Sequence, residues 1–190
     1  MTMVAGSSSN PAVGALGVAA SDRHLVQDAI RQGAPGDQFD EWIMVYIGSS
    51  SCSHSNHPDL PDALAWIRAT LERELSSRTD KAFVSAVGVD LNPIAGREVD
   101  HLQWAGSFEQ VSLGGSYLNW VASHVSWYPL EGAPGVPTPQ VVLVRRSLAR
   151  LNERGMGMHV ALTDERLVGR RYGLHRLQSW DLVRLVEVSR

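Results

Sequence analysis

Apolar and polar positions along the chain fall into two regimes: short apolar runs, and longer stretches with an apolar residue every third or fourth place. Trp42 to Ile47 is nearly unbroken apolar, which predicts a strand buried on both faces. Leu60, Leu64, Ile67, Leu71 and Leu75 then recur at helical spacing, predicting an amphipathic helix from Leu60 to about Arg78. Pro61 fits its first turn, where a missing N–H costs nothing. Phe83 to Asp90 reads as a second buried strand, and Ile94 to Trp104 as a helix on the far side of the sheet. This order predicts a parallel strand pair joined by a right-handed crossover.

Further along, Phe108 to Ser112 reads as a short strand, and Tyr117, Val121, Val125 and Tyr128 as a helix after the Gly114-Gly115 turn. A Pro/Gly-rich loop from Pro129 to Pro139 precedes a third strong strand, Gln140 to Arg146. His159–Leu162 and Leu167–Tyr172, around a Thr163-Asp164-Glu165 turn, read as a hairpin. The last helix directs Leu177, Trp180, Val183, Leu185 and Val186 inward. Near the start, Ser21-Asp22 caps a short helix carrying Leu25, Val26, Ala29 and Ile30, ended by Gly33 and Pro35. Residues 1–20 read as a flexible Ser/Gly/Ala tail and residues 21–190 as a single domain. The expected fold class is α/β, with a central mixed β-sheet flanked by helices on both faces.

Composition narrows the class. A chain of 190 residues, 44% hydrophobic and 19% charged, is the size and makeup of one globular domain. The net charge is −3, and the arginines between Arg145 and Arg176 are not gathered into one run, so no nucleic-acid partner is expected. A single cysteine excludes an internal disulfide and suits a reducing compartment. No Lys or Arg precedes the apolar stretch Ala12–Ala20, and no run nears the roughly 18 apolar residues of a membrane span. The expectation is a cytoplasmic protein without a membrane partner.

Two local signatures add a resemblance. Val45-Tyr46-Ile47-Gly48-Ser49-Ser50-Ser51-Cys52-Ser53-His54-Ser55 sets a cysteine five residues past a buried strand residue, ahead of a helix. Val136-Pro137-Thr138-Pro139-Gln140 sets proline directly before the third strand. With the strand–strand–helix ending and the glycine turn Tyr172-Gly173-Leu174-His175, the chain from Trp42 to Val188 resembles the thioredoxin-like superfamily. The resemblance implies that Cys52 is the attacking thiol and that Pro139, with Pro137 as the alternative, is a cis-proline packed against it. It also implies that the backbone of Thr138, beside Pro139, pairs with a substrate chain. Ser55 stands where that family keeps its second cysteine, so the motif is Cys-x-x-Ser and no dithiol cycle can run within one molecule.

From the residues themselves, a Cys52 thiolate is a competent nucleophile, His54 can add positive charge or shuttle a proton, and Ser55 can hydrogen-bond the sulfur. Pro58 and Pro61 delay the helix to Leu60, which leaves Cys52 on an extended loop away from the helix dipole. The expected function is monothiol thiol–disulfide exchange or redox sensing with a protein or a low-molecular-weight, glutathione-like thiol, and no cofactor. If the protein is an enzyme, it is a monothiol thiol–disulfide oxidoreductase. The alternative is a redox-inactive interaction or adaptor domain.

Cys52, His54 and His57 also suit zinc or copper chemically, but their spacing matches no strong structural-zinc pattern, and no metal is assigned. Trp104, Trp120, Trp127 and Tyr128 read as core, with an apolar face near the Pro-rich loop as the alternative. Asp90, at a strand end, reads either as a functional group or as a turn and helix cap.

Overall fold

The computed structural model describes residues 36–79, 81–92, 97–114, 137–153 and 157–189. The readings for residues 1–20, for the helices at 21–33 and 117–128, and for Trp120, Trp127 and Tyr128 lie outside the described residues.

Five strands form one mixed sheet in the order β3-β2-β1-β4-β5. β1 (Gln38–Gly48) is central, parallel to β2 (Ala82–Asp90) and antiparallel to β4 (Gln140–Glu153). β3 (Gln110–Leu113) lies parallel to β2 at one edge, and β5 (Gly157–Tyr172) antiparallel to β4 at the other. The unbroken apolar run of β1 is explained by burial on both sides. Trp42, Met44 and Tyr46 join one core cluster, while Ile43, Val45 and Ile47 join a second with Val87, Val89, Val142 and Val144.

Helix α1 (Leu60–Ser76) follows the predicted spacing: Leu60, Leu64, Ile67, Leu71 and Leu75 are all buried in the first cluster. Burying each such side chain contributes about 1.5–3 kcal/mol, so this stripe anchors the segment that leaves the loop around Cys52. Helix α2 (Arg97–Ala105) corrects an expectation, since its Leu102 and Ala105 join the same cluster as α1 rather than the far face. The reason is topological: β1-α1-β2 and β2-α2-β3 both step outward in the same direction, and right-handed crossovers in one direction place their helices on one face. Gly88 makes room, since a Cβ there would meet Leu102 and Phe108. Every described helix that enters a core cluster enters this one.

Two further expectations change. Thr163-Asp164-Glu165 is no turn: β5 runs through it, pairing with a β4 that extends to Glu153. Ser147 pairs with Asp164 and Leu148 with Leu162, so Thr163 is an extra residue accommodated by a bulge. Glu165 points inward onto Arg146 at 2.6 Å, and Arg146 lies 3.7 Å from Glu41, a buried charge cluster that periodicity alone does not reveal. The single terminal helix is instead two, α3 (Leu174–Gln178) and α4 (Leu182–Val188), the second capped by Asp181 accepting from the Arg184 N–H at 3.0 Å. The break leaves Val183 exposed and puts Leu182 in the core.

Among the described residues, no helix is long and apolar enough to cross a membrane.

Candidate functional site

Cys52 lies on the loop between β1 and α1. Helix α1 begins at Leu60, as the prolines require, but Cys52 is not on an extended stretch. The Cys52 N–H donates to Ser49 O at 2.9 Å, and the Ser55 and Asn56 N–H groups donate back to Cys52 O at 3.0 and 3.1 Å. Cys52 therefore opens a separate turn of its own, ahead of α1.

The electrostatics follow from that turn. Burial pushes the Cys52 thiol up, but hydrogen bonds from the Thr138 side chain, the Ser55 N–H and hydroxyl and the His54 N–H outweigh it. The net result is a thiol lowered from 9.0 to about 7. Across the sheet opening, the Cys52 S–H donates to the Thr138 carbonyl at 3.8 Å, and the Thr138–Pro139 peptide is cis. Pro139 is buried, and its carbonyl accepts from the Gly173 N–H at 2.8 Å. Gln140 donates its side-chain amide to Pro137 O at 2.9 Å, which ties down the other side of the same turn.

His54 is exposed, and what it brings to the sulfur is its backbone N–H rather than its ring. Ser55 is fully buried. Its hydroxyl accepts from the Ser49 N–H at 3.3 Å, and it favours the ionised forms of Cys52 and Tyr46. His57 is exposed, its Nδ1 3.3 Å from the Asp59 N–H. Among the described residues, no three His, Cys, Asp or Glu side chains are grouped to hold a metal.

No family model, no curated protein and no solved structure matches this chain.

The geometry also gathers residues that sequence reasoning did not assign to the site. Tyr46, which reads in the sequence as a core strand residue, contacts His101 Nε2 with its hydroxyl at 3.1 Å. His101 Nδ1 lies 3.1 Å from Asn56 Oδ1, and the Asn56 amide nitrogen donates to Ser50 O at 3.0 Å and Cys52 O at 2.9 Å. Asp90, fully buried at the end of β2, accepts from the Ser50 and Asn92 N–H groups at 3.0 and 2.7 Å. Burial raises the Asp90 carboxyl and the Tyr46 phenol above their ordinary values and lowers the His101 imidazole below its own.

Gly48 is what lets these groups meet: a Cβ there would run into the Tyr46 hydroxyl and stand 2.9 Å from His101 Nε2. A cleft of about 280 Å³, lined by Ser50, Asn56, Arg97, Asp100, His101 and Trp104, opens beside this network. Trp104, expected in the core, is 42% exposed at its rim with its ring 5.7 Å from that of His101. The one available signal was Asp90, since α/β sheets gather functional groups at the carboxyl ends of parallel strands.

Proposed function

We propose that this chain is a thioredoxin-like domain working through the lone thiolate of Cys52, in monothiol thiol–disulfide exchange or redox sensing. The observation that carries the reading is a part-exposed sulfur, its thiol lowered to about 7, 3.8 Å from the Thr138 carbonyl beside cis Pro139. The strand order agrees with it. β2-β1-β4-β5, with β1 and β2 parallel, β4 and β5 antiparallel to their neighbours and a helix following β5 after Gly173, resembles the core of the thioredoxin-like superfamily.

The chemistry is written for one sulfur. The Cys52 thiolate attacks one sulfur of a substrate disulfide, the S–S bond breaks, and the other half leaves as a thiolate carrying the electron pair. The mixed disulfide is released when a second, external thiolate attacks the substrate sulfur and Cys52 departs with the electron pair. Ser55 holds the Cys52 thiolate by hydrogen bonding and supplies no second sulfur. Substrate and resolving thiol are a protein or a small glutathione-like thiol, the substrate backbone lying along Thr138.

The test is the pH dependence of Cys52 alkylation by iodoacetamide, with intact mass after incubation with oxidised glutathione. The expected result is a midpoint well below the free-cysteine value of roughly 8.5 and a stable glutathione adduct. A midpoint at that value, or labelling only after unfolding, refutes the reading.

A further inference from the structure

We propose that the cleft beside helix α2 is a binding site for a small zwitterion of the free α-amino acid type, its carboxylate held by Arg97 and its ammonium by Asp100. The site goes beyond the reading of Cys52 and stands whether or not the sulfur reacts.

Helix α2 supplies most of the lining from a single stripe. Arg97, Asp100, His101 and Trp104 follow the spacing i, i+3, i+4, i+7, which puts them on one face of the helix. The core is met by a neighbouring face, through Leu102 and Ala105. Ser50 and Asn56, from the loop that carries Cys52, complete the lining. The stripe thus brings one cation, one anion and an indole that is 42% exposed to the border of a cleft of about 280 Å³.

The floor of the cleft is held by its own hydrogen bonds. Asn56 Nδ2 donates to Ser50 O at 3.0 Å and to Cys52 O at 2.9 Å, and Asn56 Oδ1 lies 3.1 Å from His101 Nδ1. His101 Nε2 is 3.1 Å from the Tyr46 hydroxyl, so both ring nitrogens are engaged. The Ser50 N–H donates to Asp90, and Ser50 Oγ accepts from Asn92 Nδ2, which leaves the Ser50 hydroxyl proton to donate. Arg97 and Asp100 differ from this floor. Both are exposed, and among the described residues neither side chain makes an ion pair or a hydrogen bond. The contacts offered to a ligand are therefore the Arg97 donors, the Asp100 carboxylate, the Ser50 hydroxyl and the Trp104 indole.

These contacts select the ligand. Three residues of helix advance about 4.5 Å along the axis, so one small molecule meets both Arg97 and Asp100. Arg97 opens α2, where the helix dipole also favours negative charge, which directs the carboxylate to Arg97 and the ammonium to Asp100. A bare anion on Arg97 is repelled by Asp100, and a bare cation on Asp100 is repelled by Arg97; a zwitterion meets neither penalty. The Trp104 ring offers an apolar face to the ligand's carbon body and a π face to its ammonium. Pockets that take drug-sized ligands run to roughly 300–1,000 Å³, so a cleft of about 280 Å³ suits a single amino-acid unit.

The experiment titrates the full, isotope-labelled chain by NMR with L-alanine and, separately, with its two halves. Propionate keeps the carboxylate and lacks the ammonium; ethylamine keeps the ammonium and lacks the carboxylate. L-Alanine should shift the Trp104 indole N–H and the backbone amides of α2 saturably, and each half should bind about tenfold more weakly or worse, the loss of one charge-assisted contact. Arg97→Gln and Asp100→Asn, both at exposed positions, should each weaken L-alanine by a similar factor while the resonances of β1 and α1 stay in place. No saturable shift with L-alanine overturns the site. Propionate binding as tightly as L-alanine would make it an anion site and ethylamine doing so a cation site, and either result refutes the zwitterion. Folded variants that bind L-alanine like the native protein refute the roles of Arg97 and Asp100. Because the two halves are tested on the unsubstituted protein, the proposal is decided even if a variant does not fold.

Discussion

Ser55→Ala is the substitution whose consequences are most sharply set by the geometry. The hydroxyl is fully buried, accepts from the Ser49 N–H at 3.3 Å, and favours the ionised forms of Tyr46 and Cys52. Removing it strips one donor from the thiolate. The donor's preference for thiolate over thiol is taken as about 1 kcal/mol, within the usual net range of a hydrogen bond. At 1.36 kcal/mol per pKa unit, the Cys52 midpoint should rise by about 0.7 unit. Starting from about 7, the thiolate share at neutral pH falls from about half to about one-sixth.

The rate at neutral pH is a poor readout, because a more basic thiolate is intrinsically more nucleophilic. With a Brønsted slope of about 0.4–0.5, the same shift raises the limiting rate about twofold and hides most of the loss of ionised sulfur. The midpoint and the alkaline plateau should therefore both rise, and thiolate ultraviolet absorbance followed against pH should give the same midpoint as alkylation kinetics. Stability should fall by about 1–3 kcal/mol, since the Ser49 N–H loses its acceptor. An unchanged or lowered midpoint in a folded Ser55→Ala protein would show that the serine hydroxyl does not bind the thiolate.

Further outcomes follow from the same geometry. Gly48→Ala places a methyl against the packed Tyr46 ring, itself stacked on Phe108 at 5.8 Å, and against buried His101, so denaturant unfolding should show a loss of about 1–3 kcal/mol; native-like stability would refute the crowding. Arg146→Ala leaves the buried Glu41 and Glu165 carboxylates without their shared counter-ion and should cost about 3–5 kcal/mol, whereas replacing all three by apolar or neutral residues should cost less; equal losses would show that packing rather than charge sets the effect. Cys52 titrates below its unfolded value, so its contribution to stability is present above roughly pH 8.5 and is lost as pH falls through about 7. The stability gap between native protein and Cys52→Ala should widen as pH rises through that window, and a gap independent of pH would contradict the lowered thiol. Asp90 works in the opposite sense: its raised carboxyl gives stability below the unfolded value of 3.8 that is lost as pH rises through the folded one.

What the sequence made legible was whatever local physics encodes. Unbroken apolar runs located β1, β2 and the start of β4, the leucine spacing located α1, and Thr138-Pro139 ahead of Gln140 marked the turn that meets Cys52. The far side chosen for α2 was wrong because helix side depends on which way the chain next steps across the sheet, and the short β3 carries too little pattern to tell. The false turn at Thr163–Glu165 arose because charged residues in a strand look like a turn until their partners are known, here Arg146 for Glu165. The network beneath Cys52 was not legible for the same reason. Tyr46 pairs with His101 across 55 positions, His101 with Asn56 across 45, and Ser50 with Asp90 across 40, so each looks locally like ordinary strand, helix or loop sequence.

In the proposed function, the buried hydroxyl of Ser55 is part of what sets up a lone cysteine for chemistry. A second sulfur at this position would face inward beneath Cys52, able to resolve a mixed disulfide but a weaker hydrogen-bond donor than a hydroxyl. A hydroxyl reverses those properties: it cannot resolve, but it favours the ionised sulfur while accepting from the Ser49 N–H. In the proposed function, resolution then comes from outside, through the part-exposed side of Cys52, next to Thr138. A site that depends on an external thiol spends part of each cycle as a mixed disulfide, and Cys52 is a good leaving group only if its thiolate is stabilised when the bond breaks. The turn N–H groups of His54 and Ser55, the Ser55 hydroxyl and the Thr138 side chain all favour that state, so the features that activate the sulfur for attack also ease its release.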